Sequence, residues 1–374
     1  MPSDPSDTHH RTSSEISLLS AGRPRSAFRA PCLDRSGCRA LQHGDAAHSG
    51  VGAKRHNDAV AGHSDDGAGG VAEVRHTLTA SRPIDLARTL APLRRGSGDP
   101  TYRVTRDGAH WRASRMASGP VTSRLVQAGP TAIDARAWGP GAAEFVEQLP
   151  RMLCVDEDVS DFRPEHPRLA EAHRRHPGLR MLRTGLVFES LVPAVIEQRV
   201  HTVTARASWR KLVWRYGDPA PGPVPEPMRV PPAAQTWRYI PSWVYHRANV
   251  DPRRSRTIVT AARMADKLEA AAAMAPAEAV RRLCAVPGLG VWSAAEIGQR
   301  AFGDADALSV GDYHLASIVG WSLLDRPLDD AAMVEYLEPL RPHRYRAIRL
   351  LEVSGQARKP AFGPRTPLVD HSRI

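Results

Sequence analysis

Cysteine is scarce in this chain of 374 residues: there are four, Cys32, Cys38, Cys154 and Cys284. They are scattered and form no C-x-x-C pair, which excludes a zinc ribbon or an iron–sulfur loop of the usual spacing. No metal and no cofactor are expected, and the few thiols fit a reducing, cytoplasmic setting. Long apolar runs are missing too. None approaches a membrane span, and the first residues lack the pattern of a secretory signal. Aromatics are almost absent from residues 1–73, where Phe28 is the only one. Acidic residues are the minority charge, 40 against 51 Lys and Arg, so the formal net charge is +11 and the pI is near 10.0. That surplus favours a polyanionic partner, most commonly a phosphate backbone. An Arg-rich, Ala-rich composition also follows from a GC-rich genome, so charge alone does not assign the partner.

Hydrophobic residues make up 42% of the chain, enough for a sizeable core. They are unevenly spread. Residues 1–73 are rich in Ser, Asp, Gly, Ala and His and cannot bury enough apolar area to offset ordering entropy, so this stretch reads as a low-complexity, disordered extension. From Val74 the pattern changes. Alternation at Val74–Leu78 predicts a strand, and a helix is expected to start near Ser81 and Pro83, with Ile84, Leu86, Leu90 and Leu93 on one face. The pieces "TYRVTR", "AHWRASRM", "PVTSRLVQ" and "AIDARAW", separated by Gly, Asp and Pro turns, read as antiparallel strands before a helix in "GPGAAEFVEQLPRML". Residues 74–155 therefore form a small α+β domain.

Residues 161–355 read as all-α. Helices are expected at 185–199, 203–216, 254–272, 276–286, 291–302, 312–323, 330–340 and 345–353. The stretch "GDPAPGPVPEPMRVPP" is most simply a surface connector, and residues 356–374 form a basic, Pro-containing tail. No internal repeat is present.

Chemistry concentrates in residues 284–315, "CAVPGLGVWSAAEIGQRAFGDADALSVGDYHL". Pro276 starts the first helix, and "PGLG" ends it, because Pro287 lacks an N–H and the glycines permit positive φ. The amides of Gly288, Leu289 and Gly290, with the start of the next helix, are placed to meet one anion. An ordinary αα-corner has the same turn. Asp312 follows at the expected start of another helix, where the helix dipole favours its ionised form. Aspartate is also a common helix cap. The combined order is more specific than either part: helix, Pro-Gly-x-Gly, helix, Phe-Gly, a short loop, then Val-Gly-Asp-Tyr-His.

In "VPGLGVWSAAEIGQRAFG" and "LSVGDYHL" the chain resembles the helix–hairpin–helix (HhH-GPD) DNA glycosylase superfamily. The resemblance extends back through "LVFESLVPAVIEQRVHTVTARASWRKLVWRYG" and covers roughly residues 165–355. With the preceding α+β domain it points to the bacterial 3-methyladenine-DNA glycosylase II branch. It implies a mainly α fold, the helical glycosylase domain following a small antiparallel sheet. It also implies that the hairpin anchors duplex DNA and that Asp312 is the catalytic carboxylate. Bifunctional members carry a lysine where this chain has Trp292, and no lysine occurs between Gly288 and Leu315. A monofunctional enzyme follows, in which water attacks the sugar. Trp292 and Tyr313 are the expected stacking partners of a flipped, positively charged alkylpurine, and Trp321 reads as a core residue. Glu296 stands where the alkylbase branch often has an aromatic; it hydrogen-bonds an exocyclic amine or is a solvated helix residue. His343 replaces a further expected aromatic. In "EQRV", Gln198 or Arg199 would fill the gap left by the extruded base.

The expected activity is hydrolysis of the N-glycosidic bond of alkylated purines in duplex DNA. Damaged double-stranded DNA is the partner, and the enzyme is a monomer of the cytoplasm, on the nucleoid when bound. A glycosylase for another damaged or deaminated base is the alternative within enzymes, and a non-catalytic helix–hairpin–helix DNA-binding protein the alternative outside them.

Overall fold

The computed structural model describes residues 72–359 and Asp370, so the expected extension and most of the tail lie outside the described residues. Five strands come first: β1 (Glu73–Thr79), β2 (Tyr102–Val104), β3 (His110–Met116), β4 (Gly119–Gln127) and β5 (Ala132–Trp138). They form an antiparallel sheet in the order β1-β5-β4-β3-β2. Period-two alternation sends Val121, Leu125, Ile133, Ala135 and Ala137 to one face, where α1 (Leu86–Leu90) and α2 (Ala142–Met152) cover them with Leu86, Leu90, Phe145 and Leu149. Helix α1 starts later than Ser81 suggests. Its cap is Asp85, whose carboxylate accepts from the Arg88 amide at 2.9 Å.

The other face carries Trp111 and Trp138, stacked with ring centroids 5.4 Å apart. Such a face needs cover, and the Pro-rich stretch supplies it. There β6 (Asp218–Pro219) and β7 (Arg229–Val230) pair, and Met228 and Val230 bury against the two indoles. This corrects the expectation of a mere surface connector: apolar residues sit among the prolines, and the sheet has an apolar face left to fill.

The remaining chain is helical, as expected, with shorter elements: α3 (Pro167–Arg175), α4 (Val187–Ile196), α5 (Thr202–Tyr216), α6 (Ala234–Tyr239), α7 (Ser242–Arg247), α8 (Pro252–Ala262), α9 (Ala265–Glu269), α10 (Pro276–Cys284), α11 (Val291–Ile297), α12 (Leu315–Leu323), α13 (Asp330–Leu337) and α14 (Arg344–Val353). Helix α4 is largely apolar and buried at every residue but Glu189, the pattern of a central helix. Its first two amides are capped from another helix: Glu269 accepts from Val187 at 2.9 Å and Phe188 at 2.8 Å. One core gathers around α4, with α5, α8 and α11. A second joins α3, α12, α13 and α14. Sheet and helices are tied by buried polar links. Asp99 accepts from the Trp209 indole at 3.1 Å, and Arg112 on β3 pairs with Glu189 on α4.

Among the described residues, Cys154 and Cys284 are free thiols, no helix is long and apolar enough to cross a membrane, and no cluster of His, Cys, Asp and Glu is arranged to hold a metal ion.

Candidate active site

The hairpin joins α10 to α11. Gly288 sits at φ +94°, and a Cβ there would lie 2.0 Å from Thr257 Oγ1, so both conformation and space require glycine. Gly290 differs: it has ordinary extended backbone, and nothing lies within 4 Å of where its Cβ would be. Leu289 points inward, 6% exposed, into the α4 core. Its amide donates to the Val286 carbonyl at 3.0 Å, which removes it from the expected set of anion-facing donors. The amides of Gly288, Gly290 and the first turn of α11 make no backbone hydrogen bond within the hairpin, and the cap residue has no side chain to satisfy them.

Behind the hairpin, the Gln198 amide donates to the Gly288 carbonyl at 3.0 Å and Ser293 Oγ at 2.8 Å. Gln198 is thus committed to holding the turn. Its neighbour Arg199 is exposed and held at φ +54°, a conformation uncommon for a non-glycine residue. The two expected gap-filling candidates are separated: one braces the hairpin, the other projects.

Residues after α11 continue as a π-helical turn, Gly298–Phe302, before a loop leads to Asp312. Helix α12 begins at Leu315, later than expected, yet the Asp312 side chain caps it. Its Oδ1 accepts from the amides of His314 at 2.8 Å and Leu315 at 2.9 Å. Its Oδ2 accepts from the Trp292 indole N–H at 3.3 Å. Capping and chemistry are therefore compatible in one carboxylate. Asp312 is only 9% exposed. Burial pushes its carboxyl up to about 6, with the nearby Glu296 charge adding to the rise and the His314 and Leu315 amides and the indole opposing it. The helix-start amides favour the ionised form, as expected, but desolvation outweighs them in setting where the carboxyl titrates. His314 is buried, and burial pushes its imidazole down to about 4, so it stands neutral beside the carboxylate.

Asp312, Trp292, Glu296, Tyr313 and Arg199 all line one cleft of about 1920 Å³, to which the loop after α1 contributes Arg95 from the opposite side. Tyr313 is 42% exposed and stands edge-on to His314. Trp292 is half-buried. Glu296 is not a solvated helix residue. It is 5% exposed, accepts from Ser309 Oγ at 2.6 Å and pairs with Arg300 at 2.8 Å. Arg300 also donates to the Pro92 carbonyl at 3.2 Å. Two residues that sequence set apart from the pocket, His343 in place of an expected aromatic and Trp321 as a core residue, do not line the cleft. His343 is buried against Phe162 and bonds Asp161 at 3.0 Å, and Trp321 is half-buried away from the cleft. Arg300 and Ser309 were missed from sequence. The Glu-x-x-x-Arg spacing on one helix was a usable signal for the first; nothing local marked the second.

The fold is that of the helix–hairpin–helix DNA glycosylases, a small antiparallel sheet followed by a helical body. A 3-methyladenine DNA-glycosylase from Archaeoglobus fulgidus is similar over 75% of this chain and 98% of that one, with TM-score 0.63 and 18% identity. An 8-oxoguanine glycosylase/lyase from Clostridium acetobutylicum, in its apo form, is similar over 75% and 97%, with TM-score 0.58 and 13% identity. MBOgg1 in complex with a low-affinity DNA ligand is similar over 75% and 95%, with TM-score 0.60 and 16% identity. No protein-family profile matches the chain, and no curated protein matches it in sequence.

Proposed function

We propose that this protein is a monofunctional DNA glycosylase that removes alkylated purines of the 3-methyladenine type from duplex DNA. The observation that carries the reading is Asp312, a buried carboxylate at the edge of the cleft, oriented by two helix amides and the Trp292 indole. Its negative charge, largely withdrawn from water, is suited to an oxocarbenium-like sugar, and its free lone pairs to orienting water. The amides at Gly288, Gly290 and the start of α11 would take a backbone phosphate, with Leu289 anchoring the turn in the core rather than donating. Arg199 would occupy the gap left by the extruded nucleotide, and Trp292 and Tyr313 would stack on the base. The cleft lining contains no lysine among the described residues, which supports hydrolysis over amine attack. The reading takes residues 74–155 and 161–355 as its two domains, flanked by extensions at 1–73 and 356–374, and the working form as a cytoplasmic monomer.

One observation favours a second substrate class. Glu296, Arg300 and Ser309 give the cleft a polar wall where stacking aromatics would suit an alkylated cation best. An oxidised or deaminated base, neutral and read by hydrogen bonds, would use such a wall. The test is to incubate the full-length protein with methylated duplex DNA and with duplexes carrying 8-oxoguanine, uracil or hypoxanthine, and to identify released bases by chromatography. Release of 3-methyladenine is expected. Release of only an oxidised or deaminated base would move the assignment to the second class, and binding without release would leave a DNA-binding protein.

A further inference from the structure

The loop that carries Asp312 is pinned in its first part by Asp306, which pairs with Arg344 at 2.7 Å and Arg341 at 2.9 Å, and by Leu308 in the core of α12 and α14, whereas the turn just before Asp312 has fewer ties. It leaves α11 through Gly303 at φ +66° and reaches Asp312 through Gly311 at φ +89°, and nothing packs where a Cβ on Gly311 would be. What fixes that turn is a chain of buried hydrogen bonds running back to α11. The Asp312 amide donates to the Ser309 carbonyl at 3.2 Å. The Ser309 hydroxyl donates to Glu296 Oε1 at 2.6 Å and accepts from Gln299 Nε2 at 2.9 Å. The same Gln299 amide donates to the Ala307 carbonyl at 2.9 Å. Glu296 is held in turn by Arg300, which donates to both its carboxylate and its backbone carbonyl at 2.8 Å. Ser309, Glu296 and Gln299 are 2%, 5% and 6% exposed, so every bond is made out of water, where an unmet partner is costly.

The geometry points to Ser309, braced by Glu296 and Gln299, as the positioning residue that holds Asp312 at the height and angle its chemistry requires. This inference rests on the glycosylase reading for its kinetic consequence, though not for its structural one. Asp306 and Leu308 fix the earlier part of the loop, and the Asp330 carboxylate holds the Gly311 amide, so removing the Ser309 hydroxyl frees the turn that sets Asp312 against α11 rather than the whole loop. Misplacement of a catalytic carboxylate by a fraction of an ångström slows the chemical step without changing how duplex is gripped. Glu296 has a second effect. Besides Glu296, the groups near Asp312 are Trp292 on α11, the neutral His314, Tyr313, Arg300 behind Glu296, Asp330, which accepts from the Gly311 amide, and Lys359, whose charge acts on His314. Within that set the Glu296 charge favours the protonated Asp312.

The experiment uses the full chain with Ser309→Ala and Glu296→Gln, read by base release from methylated duplex across pH and by the carboxyl carbon resonance of Asp312. Ser309→Ala is expected to fold, to keep KM near that of the wild type, and to lose kcat about tenfold to a hundredfold. Glu296→Gln, which keeps shape but not charge, is expected to move the acid limb and the Asp312 titration to lower pH. Wild-type kcat in a folded Ser309→Ala would overturn the positioning role. So would a loss confined to KM, which would make the wall a base contact. A wild type that releases no base removes the proposed function alone. In that case a displaced Asp312 carboxyl resonance in a folded Ser309→Ala still supports the brace, and an unmoved one overturns it.

Discussion

At the scale of the residue, Asp312 carries two opposed demands. The proposed chemistry needs an ionised carboxylate, and burial disfavours one. With its carboxyl pushed up to about 6, the group is mostly ionised at neutral pH but held there at a cost. Excision should be flat above neutrality and fall about tenfold per pH unit well below 6, as the working form is lost. The stability consequence has the opposite sign. The folded carboxyl binds its proton more tightly than an unfolded aspartate near 3.9 does. Its contribution is therefore fully present below that value and lost as pH rises through about 6. Asp312→Asn keeps an oxygen for the two helix amides and removes the buried charge. We expect it to fold and to bind damaged duplex. Between pH 4 and pH 7.5 its stability should rise relative to the wild type by on the order of 2–3 kcal/mol, on top of a pH-independent loss where its amide meets the Trp292 indole donor. Base release should fall by about a hundredfold or more. Urea melts at the two pH values and single-turnover assays check both halves; a variant whose relative stability does not rise between the two pH values, or that excises near normally, would take Asp312 out of this role.

At the scale of the element, the two hairpin glycines divide the work of the turn. Gly288 is needed by the fold, because its left-handed conformation and the Thr257 hydroxyl leave no room for a methyl group. Gly290 is needed only by what approaches from outside. Gly288→Ala should therefore lower the melting temperature and damage everything downstream. Gly290→Ala should melt like the wild type yet bind undamaged and damaged duplex more weakly by a similar factor, since a phosphate contact carries no base information. Fluorescence anisotropy with both duplexes checks this; a loss confined to damaged duplex would mean the turn reads the lesion rather than the backbone. The same elements show how far the sequence could be read. The sheet, α2 and the hairpin helices were legible, because period, Pro and Gly placement and local spacing agree there. Helices α6 and α7 were not: each has six residues, too short for a periodic stripe, and Pro241 separates them. Nor could the cover of the sheet by Met228 and Val230 be read, since it depends on an apolar face far away in sequence. At the candidate site, Asp312 and Trp292 could be identified by position in a motif. The commitment of the Gln198 side chain to Gly288 and the inward turn of Leu289 follow from tertiary contacts alone.

At the scale of the whole molecule, the positive charge is almost entirely arginine. Of the 51 basic residues only four are lysine. Lys54 lies outside the described residues; Lys211, Lys267 and Lys359 are exposed, and none lines the cleft. The distinction matters because the two cations do different work. Arginine offers a permanent charge and a fork of donors suited to phosphate, and in proteins it does not lose its proton, so it is no nucleophile. Lysine gives up its proton when buried or crowded and then attacks an aldehyde carbon to form a Schiff base. A cleft edged with Arg94, Arg95, Arg199 and Arg206 can attract and seat a duplex while presenting no side-chain amine to the sugar. Trp292 sits where such an amine would have to reach, its indole N–H already given to Asp312. If the protein excises bases, the strand should remain intact until heat or alkali cleaves the abasic product. Borohydride added during turnover should trap no covalent protein–DNA adduct. An adduct on a denaturing gel would contradict hydrolysis by water, and mass spectrometry of the trapped peptide would show which amine had reached the sugar.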